Sequence, residues 1–458
     1  MQPWMSISRN DLKIERAQCL DEGKDVSPLE AEFQALDVPE VETDAKLQAR
    51  AGKLLDRTLR LPVSHDYPFQ EPSEIARIRR GRKDRPKLPR SSLRRDQLLE
   101  KAHGAWVGRC CGCLLGKPVE GRGRRQIEAY LRSQDRWPLD FYFSGAADET
   151  VRKDNNFPAP TNPCYAENIT CMPEDDDTNY TTVGLAVIEQ KGSDFTPADV
   201  GEFWLRNIPI YHVCTAERVA YRNLVNRICA PDAQGGVSGR FSSATFRNPY
   251  REWIGAQIRA DFFGYCSPAR PEQAAEFAWR DACISHVKNG LYGEMWAAAM
   301  LAAAFVSDDV TTVIQAGLGE VPAASRFRRD IETVLTWHRD GLSYEQAVDA
   351  IHKQWDEAFS HHWCHTNSNA QIVAAALLWG DKDYGRTVSG AVMPGFDTDC
   401  NGATAGSVLG MILGRSGIPA RWADPIRDTL NTGVHGYHTV KLADMAERTV
   451  RIIEGLRS

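Results

Sequence analysis

The chain has 458 residues, which is long for one domain and short for three. Hydrophobic residues make up 42% of it and charged residues 25%, a composition that allows a large hydrophobic core without disulfide bonds. The net charge of −6, without a long acidic tail, argues against a general nucleic-acid-binding protein.

The sequence carries none of the signals expected for export or membrane insertion. The N-terminus lacks a basic start followed by an apolar run, so we expect no signal peptide. The longest apolar run, residues 295–306, is rich in alanine and too short to span a bilayer. The 12 cysteines are then most simply reduced thiols. These features predict a cytoplasmic protein without a membrane partner.

Residues 1–97 are predicted to be a helical extension that ends in a basic linker. The first 60 residues or so have the pattern of short amphipathic helices. The tract from Arg77 to Arg95 holds ten Lys and Arg residues against one acid, Asp84. An anionic-ligand or RNA patch is one interpretation, but without interleaved aromatic residues the composition favours a solvated linker. The extension could cover a cleft or form an oligomer contact.

Residues 98–458 are predicted to be a series of helices. Periodicity predicts helices over 97–115, over 127–143 with an aromatic exit, and from the acidic run at 174–178 to residue 188. Further helices are predicted at 197–205, 214–227, 271–283, 291–306, 311–316, 325–340, 343–359, 368–379, 383–392, 402–414, 419–430 and 439–456. Alternating β-branched runs are almost absent and no sequence repeat of fixed period occurs, so the predicted class is all-α.

Two helices each carry a glycine at every fourth position. The stripes are Gly104, Gly108, Gly112 and Gly116 in one helix, and Gly402, Gly406, Gly410 and Gly414 in the other. A glycine costs a helix interior about 0.5–1 kcal/mol relative to alanine, and close approach of a second backbone would offset that cost. The stripes therefore predict two helices that cross at the centre of the fold. Such a crossing would bring Glu120 near Asp397 and Asp399.

Carboxylates cluster at two predicted helix starts. Asp175, Asp176 and Asp177 open one helix, and Asp397 and Asp399 open another. A heavily capped helix would explain either run alone, because carboxylates favour helix N-termini. Two such turns together with Glu120 instead predict a site of oxygen ligands, which suits Mg²⁺, Mn²⁺ or Ca²⁺ better than zinc. Enough carboxylates are present for two ions that share a bridging water.

The order of these motifs resembles that of the ADP-ribosylglycohydrolase family, which includes the dinitrogenase reductase-activating glycohydrolase. The motifs are residues 112–120 (GCLLGKPVE), 175–178 (DDDT), 285–286 (SH) and 397–399 (DTD). The resemblance covers roughly residues 98–458. It implies an all-α orthogonal multi-helix bundle with a two-Mg²⁺ site, in which Mn²⁺ could substitute.

The resemblance also implies roles for individual residues. The implied metal ligands are Asp175, Asp176, Asp177, Asp397, Asp399 and Cys400, with Asp176 and Asp399 also counted as catalytic. Glu120 falls on the glutamate near the scissile bond, and His286 on a histidine by the ribose. Gly255 to Arg259 resembles a degraded glycine-rich substrate loop. Two departures stand out: Asp175 replaces a frequent hydroxyl, and Cys400 replaces a Thr or Ser.

A few further residues are candidates from their chemistry alone. Asn289 offers a polar group for a phosphate or ribose rim, although a capped helix–loop junction explains it equally well. Tyr292 offers a ring that could stack on a base, but its helical spacing favours a core position. The run from His361 to His365 could bind a soft metal, but without a partner cluster it is predicted to be a loop near the site, with Trp363 and His365 as candidate substrate contacts. The Cys-x-x-Cys at Cys110 and Cys113 is predicted to pack in its helix rather than to bind zinc.

The predicted function is that of a Mg²⁺-dependent hydrolase that cleaves the C1″ N- or O-glycosidic bond of an ADP-ribosyl adduct. The alternative is an N-ribosidase that acts on a free nucleoside-, nucleotide- or NAD-derived metabolite. A third hypothesis is a non-catalytic nucleotide-binding or structural protein of the same fold. The expected partner is an ADP-ribosylated or ribosyl-containing substrate, and nucleic acid is expected only as a modified substrate.

Overall fold

The computed structural model describes residues 5–456. They form 22 α-helices and one short antiparallel sheet, in which Leu430 pairs with Val440. The all-α class predicted from the sequence is confirmed. None of the helices within the described residues combines the length and the apolar character needed to cross a membrane.

The first half of the chain supplies a short-helix region followed by the first long helix of the core. Its helices are α1 (Arg9–Asp21), α2 (Glu30–Ala35), α3 (Ala45–Thr58), α4 (Ile75–Gly81), α5 (Arg95–Gly116), α6 (Arg124–Arg132), α7 (Glu149–Asp154), α8 (Asp176–Lys191), α9 (Pro197–Asn207), α10 (Ala216–Val225) and α11 (Asp261–Tyr265).

The second half supplies most of the buried helices. These are α12 (Pro271–Ala282), α13 (Asn289–Ala304), α14 (Val310–Leu318), α15 (Arg326–Arg339), α16 (Tyr344–Gln354), α17 (Ser360–Trp363), α18 (Thr366–Trp379), α19 (Tyr384–Val392), α20 (Thr398–Leu413), α21 (Ala420–Ala423) and α22 (Leu442–Gly455), with strands β1 (Thr429–Asn431) and β2 (Thr439–Lys441) between the last two helices.

The glycine stripes of α5 and α20 face each other along the largest helix–helix interface of the described residues. A Cβ atom on Gly112 would overlap the carbonyl oxygen of Gly402, and one on Gly108 would overlap that of Gly406. The two backbones are therefore in direct contact, as the stripes predict. Helix α13 packs beside α20, and every one of its residues is buried, which is typical of a helix that is apolar all round.

The N-terminal extension has its own apolar cluster and docks through buried ion pairs. The cluster comprises Ile7, Leu12, Leu29, Phe33, Leu36, Val41, Ala51, Leu54 and Leu55. Arg251 lies 2.6 Å from Glu15 and 2.9 Å from Glu22 of the extension, and all three side chains are 2% exposed. Glu71 pairs with Arg326 at 2.8 Å. Buried charges are stable only when paired, so these contacts fix the extension to the rest of the molecule.

Several predicted helix boundaries are wrong. The helix predicted over 127–143 ends at Arg132, since Asp135 adopts a left-handed conformation (φ 54°). The one predicted over 419–430 stops at Ala423 because Pro425 cannot donate a helical hydrogen bond, and Arg427 (φ 50°) turns the chain into β1. The one predicted over 343–359 ends at Gln354. Residues 439–441 are strand, so the last helix begins at Leu442, and α20 begins four residues before its predicted start.

Candidate metal centre and active site

The two acidic turns meet at one place in the structure. One ligand atom from each of Cys113, Asp175, Asp177 and Asp399 lies within 4.8 Å of the others, and these four residues are buried. Asp397, Asp399 and Cys400 form a second such group. Asp399 belongs to both, so the groups adjoin. The starts of α8 and α20, together with the end of α5, thus bring the carboxylates into one centre.

Helix starts hold the carboxylates in position. Asp175 is the N-cap of α8, and its Oδ1 accepts the backbone N–H of Asp177 at 2.9 Å. At the start of α20, the Oγ1 of Thr398 donates to the carbonyl of Gly116 at 2.9 Å. Gly116 has no side chain to separate the two helices there, because a Cβ on it would overlap the backbone of Asp399. The amide of Asn369 fixes the second turn by accepting the Asp397 N–H at 3.1 Å.

Two cationic side chains of α5 and the turn after it enter the centre. The Nζ of Lys117 forms a short ion pair with Oδ2 of Asp175. The guanidinium of Arg109 lies 3.0 Å from Oδ1 of Asp177 and 2.8 Å from Oδ2 of Asp261, and all three side chains are 0% exposed. Burial alone would lower the pKa of Lys117, but the charges of Asp175 and Asp399 raise it and keep the ammonium charged.

The carboxylates perturb one another's titration. Burial raises the pKa of Asp175, but Lys117 and the hydrogen bond from Asp177 outweigh it, so that pKa lies below its usual value. Burial and the charge of Asp175 raise the pKa of Asp399 to about 6. Burial and neighbouring carboxylates likewise raise the pKa values of Asp176, Asp177 and Asp397 well above normal. These five carboxylates therefore share fewer negative charges than their number suggests, because some of them hold protons, and a bound cation would displace those protons.

Glu120 lies at the open side of this centre. It follows the 3₁₀ turn Lys117–Val119 that ends α5, and it is exposed at the surface of the molecule. The charge of Asp399, first, and removal from bulk water, second, raise its pKa to about 8. A carboxyl group with a pKa near neutrality can donate or accept a proton at physiological pH. Asp176, which is half-buried, is close enough for its charge and that of Glu120 to affect each other.

The residues present fit a hard divalent cation. Oδ2 of Asp177 and Oδ1 of Asp399 are buried and have no hydrogen-bond partner among the described residues. A buried unpaired carboxylate oxygen is costly, and a cation would satisfy it. Carboxylate oxygens are the ligands that Mg²⁺ and Mn²⁺ prefer, whereas the nearby thiols of Cys113 and Cys400 are softer donors.

The sequence prediction missed several members of the centre. Arg109 and Cys113 of α5 and Lys117, the first residue after that helix, recur at every fourth position and so share one face, directly beside the glycine stripe. That spacing is the signal that would have found them. The thiol of Cys364 lies 3.6 Å from Oδ2 of Asp397, and this contact joins residues that are distant in the chain, which no local pattern reveals.

Three of the predicted substrate-binding residues lie in a separate buried network. Arg259 pairs with Glu217 at 2.5 Å and, more closely, with Asp281. A Cβ on Gly255 would overlap the carboxylate of Glu217, whose pKa burial raises to about 7. The Nδ1 of His286 is 2.8 Å from Oγ of Ser285, and its Nε2 is buried without a partner among the described residues. Their contact with substrate stays a prediction.

The other two predicted substrate-binding residues contact the N-terminal extension. The Nδ2 of Asn289 donates to Glu71 at 2.9 Å and to Glu252 at 2.7 Å. The hydroxyl of Tyr292 donates to the carbonyl of Pro72 at 2.5 Å. Both residues are fully buried, and their contact with substrate also stays a prediction.

His361 and His365 lie beside Asp21 of the extension, with ligand atoms within 4.8 Å of one another. The indole N–H of Trp253 donates to Nδ1 of His361 at 3.1 Å, and the backbone N–H of Asn367 donates to Nδ1 of His365 at 3.0 Å. The Nε2 of His361 is 2.9 Å from Oδ2 of Asp21, and the Nε2 of His365 is buried without a partner among the described residues. Because Nδ1 of both rings already accepts a hydrogen bond, neither Nδ1 is free to bind a metal ion.

Most of the chain matches one protein family. Residues 94–455 match the family model described as ADP-ribosylglycohydrolase. One similar solved chain is described as "ADP-ribosylglycohydrolase-related protein complex"; the alignment has 16% identity and a TM-score of 0.46, and it covers 79% of this chain and 100% of that chain. The search of curated proteins gives no match.

Proposed function

Since the chain belongs to the ADP-ribosylglycohydrolase family, we propose that it is a divalent-cation-dependent hydrolase that cleaves the C1″ N- or O-glycosidic bond of an ADP-ribosyl adduct. The observation that carries the proposal is the convergence of the two acidic turns beside Glu120. Family membership supports glycoside hydrolysis in general. The type of glycosidic bond, the dependence on a divalent cation and the ADP-ribosyl adduct as substrate are our proposal.

Carboxylates from both acidic turns would hold the cation, with Mg²⁺ or Mn²⁺ as the proposed ion. The unpaired oxygen of Asp399 is the first candidate, with Asp397, Asp176 and Asp177 beside it. When bound, such a cation polarises sugar hydroxyls and lowers the pKa of a coordinated water. The hydrogen bonds from Thr398 and to Asn369 keep the second turn in place while substrate enters.

Glu120 is the proposed general acid or base. Cleavage at C1″ passes through an oxocarbenium-like transition state, which needs a proton delivered to the leaving group or removed from the attacking water. Glu120 is exposed at the surface and has a pKa raised to about 8, so both protonation states are populated near neutrality. Because it lies on the turn that follows the buried helix α5, the helix crossing fixes its position relative to Asp399.

An assay of ADP-ribose release tests this function. The purified full chain is incubated with ADP-ribosyl-arginine, ADP-ribosyl-serine, ADP-ribosylated DNA and simple ribosides, in Mg²⁺, Mn²⁺ or excess EDTA. We expect release from at least one ADP-ribosyl adduct that EDTA abolishes and added cation restores. Turnover only of the simple ribosides would favour the N-ribosidase alternative, and no turnover of any substrate would contradict the proposal.

A further inference from the structure

The carboxylate centre already contains a cation that belongs to the chain. We infer that the ammonium of Lys117 occupies one of the two cation positions of this centre, so that the protein binds a single divalent ion at the other. The inference rests on the proposed function, because it assumes that the centre is a divalent-cation site.

The first position is the group formed by Cys113, Asp175, Asp177 and Asp399. Both oxygens of Asp175 are already in use: Oδ1 accepts the N–H of Asp177, and Oδ2 pairs with Lys117. The Lys117 side chain is only 21% exposed, so it is held inside the centre and does not extend into solvent. The charge of Asp175 is thus already compensated by Lys117 while this ion pair is intact, which weakens its attraction for a metal ion.

A second chain cation also faces this position. Oδ1 of Asp177 accepts the Arg109 guanidinium at 3.0 Å, which leaves only Oδ2 of that carboxylate for a ligand. A divalent ion placed among these residues would lie close to a buried ammonium and would face a buried guanidinium. A divalent ion would be repelled strongly by these two groups, because burial excludes the water that would weaken the repulsion. Lys117 and Arg109 therefore supply the positive charge of the first position without a metal ion.

The second position is the group formed by Asp397, Asp399 and Cys400. Within residues 5–456, neither Asp397 nor Asp399 forms an ion pair with a lysine or arginine. Oδ1 of Asp399 is buried and lacks a hydrogen-bond partner in the same part of the chain. Asp177 also has an unpaired oxygen, but its carboxylate is already paired with the Arg109 guanidinium. Among the described residues Asp399 has no such pairing, so this second position is the one that a divalent ion would fill.

The assignment has a chemical consequence for the proposed reaction. An ammonium donates hydrogen bonds and compensates negative charge, but it does not coordinate a water as a metal ion does. A bridging water between two metal ions is then excluded. Lys117 instead orients Asp175 and neutralises it, and the proton transfer depends on Glu120 and the single ion position.

Metal counting tests the inference without any measurement of turnover. Binding of Mn²⁺ to the full chain is measured by titration calorimetry, and electron paramagnetic resonance distinguishes an isolated ion from an exchange-coupled pair. We expect one isolated Mn²⁺ in the wild type. Lys117→Met frees Asp175 and should admit a second ion, with the appearance of a coupled spectrum.

Lys101→Met is the matched control. Lys101 is on the same helix and is half-buried, but its ammonium donates to backbone carbonyls, those of Met411 at 3.1 Å and Ile412 at 3.2 Å. Lys101→Met should leave the number of bound Mn²⁺ ions at one. The inference is overturned by a coupled pair of Mn²⁺ ions in the wild type, or by equal numbers of bound ions in the wild type and Lys117→Met. If Lys117→Met fails to fold, the wild-type spectrum alone decides between one ion and two. If the wild type binds no Mn²⁺ at all, the proposed function fails with it.

Discussion

The substitution Gly112→Ala tests whether the crossing of α5 and α20 holds the centre together. A Cβ at this position would overlap the carbonyl oxygen of Gly402 and would lie 2.6 Å from its carbonyl carbon. Both atoms belong to the backbone of a buried helix, so they cannot rotate away as a side-chain tip could. The two helices must separate. Overpacking of this kind costs about 1–3 kcal/mol and sometimes more.

Alanine also has a higher helix propensity than glycine, by about 1 kcal/mol, which opposes the loss. Because the overlap here is with backbone atoms, we take the upper end of the overpacking range, about 3 kcal/mol, and expect a free energy of unfolding that is lower by about 2 kcal/mol. Because α5 leads to Lys117 and α20 begins at the Asp397 turn, the separation should also weaken Mn²⁺ binding by about tenfold, equivalent to about 1.4 kcal/mol. Urea unfolding and calorimetric titration measure the two effects.

Gly390→Ala is the matched control, in the middle of α19. A Cβ there would lie 3.5 Å from the Tyr344 hydroxyl, an ordinary contact distance, so the gain in helix propensity should remain. Equal stability and Mn²⁺ affinity for Gly112→Ala and the wild type would refute the claim that backbone contact at the crossing positions the centre.

Three further predictions concern the proton donor, the pH response and the extension. Glu120→Gln should lower kcat by about 10²–10⁴-fold while Mn²⁺ affinity changes little, and an unchanged kcat would exclude Glu120 as the acid or base. Because burial and the charge of Asp175 raise the pKa of Asp399 to about 6, protonation should weaken Mn²⁺ binding as the pH falls from 7 to 5; a pH-independent affinity in calorimetry would contradict this. Glu71→Gln leaves the buried Arg326 with only Glu252, so urea unfolding should show a free energy of unfolding that is lower by about 3 kcal/mol. The control, Glu74→Gln, removes an exposed ion pair with Arg77 and should lower it by less than about 0.5 kcal/mol.

The glycine stripes were the most informative part of the sequence. Four glycines at helical spacing in each of two segments predict a backbone contact without reference to any other residue, and the structure contains it. The two acidic turns could be placed because Asp175 and Asp397 stand at the starts of helices that the periodicity predicts. Local patterns were sufficient there because the signal repeats along the chain.

Other parts of the centre depend on contacts that a single sequence does not encode locally. The Cys364–Asp397 contact joins two segments whose approach is set by how α18 packs against α20. Lys117 is recognisable only through its spacing from Arg109 and Cys113, because an isolated lysine after a helix is usually a surface residue. The C-terminal region from residue 419 was predicted as helix, and its conversion to 3₁₀ turn and strand follows from Pro425 and two left-handed residues, Arg427 and Asp428.

The N-terminal extension is connected to the candidate centre through one short path. Asp21 of α1 accepts from His361, which accepts in turn from Trp253. The segment that contains His361 also carries Cys364, whose thiol contacts Asp397. The extension therefore contacts the segment that borders the second acidic turn, while a cover over the site or an oligomer contact stays a prediction.

The central claim is that the Asp397–Asp399 turn binds a divalent cation. Calorimetric titration of Mn²⁺ into Asp399→Asn tests it most directly, with Asp444→Asn as the control, because Asp444 lies in the first turn of α22 and is exposed. We predict that Asp399→Asn weakens Mn²⁺ binding by about 100-fold or more, equivalent to about 2.7 kcal/mol, and that Asp444→Asn leaves it unchanged. Wild-type Mn²⁺ affinity in Asp399→Asn would contradict the claim.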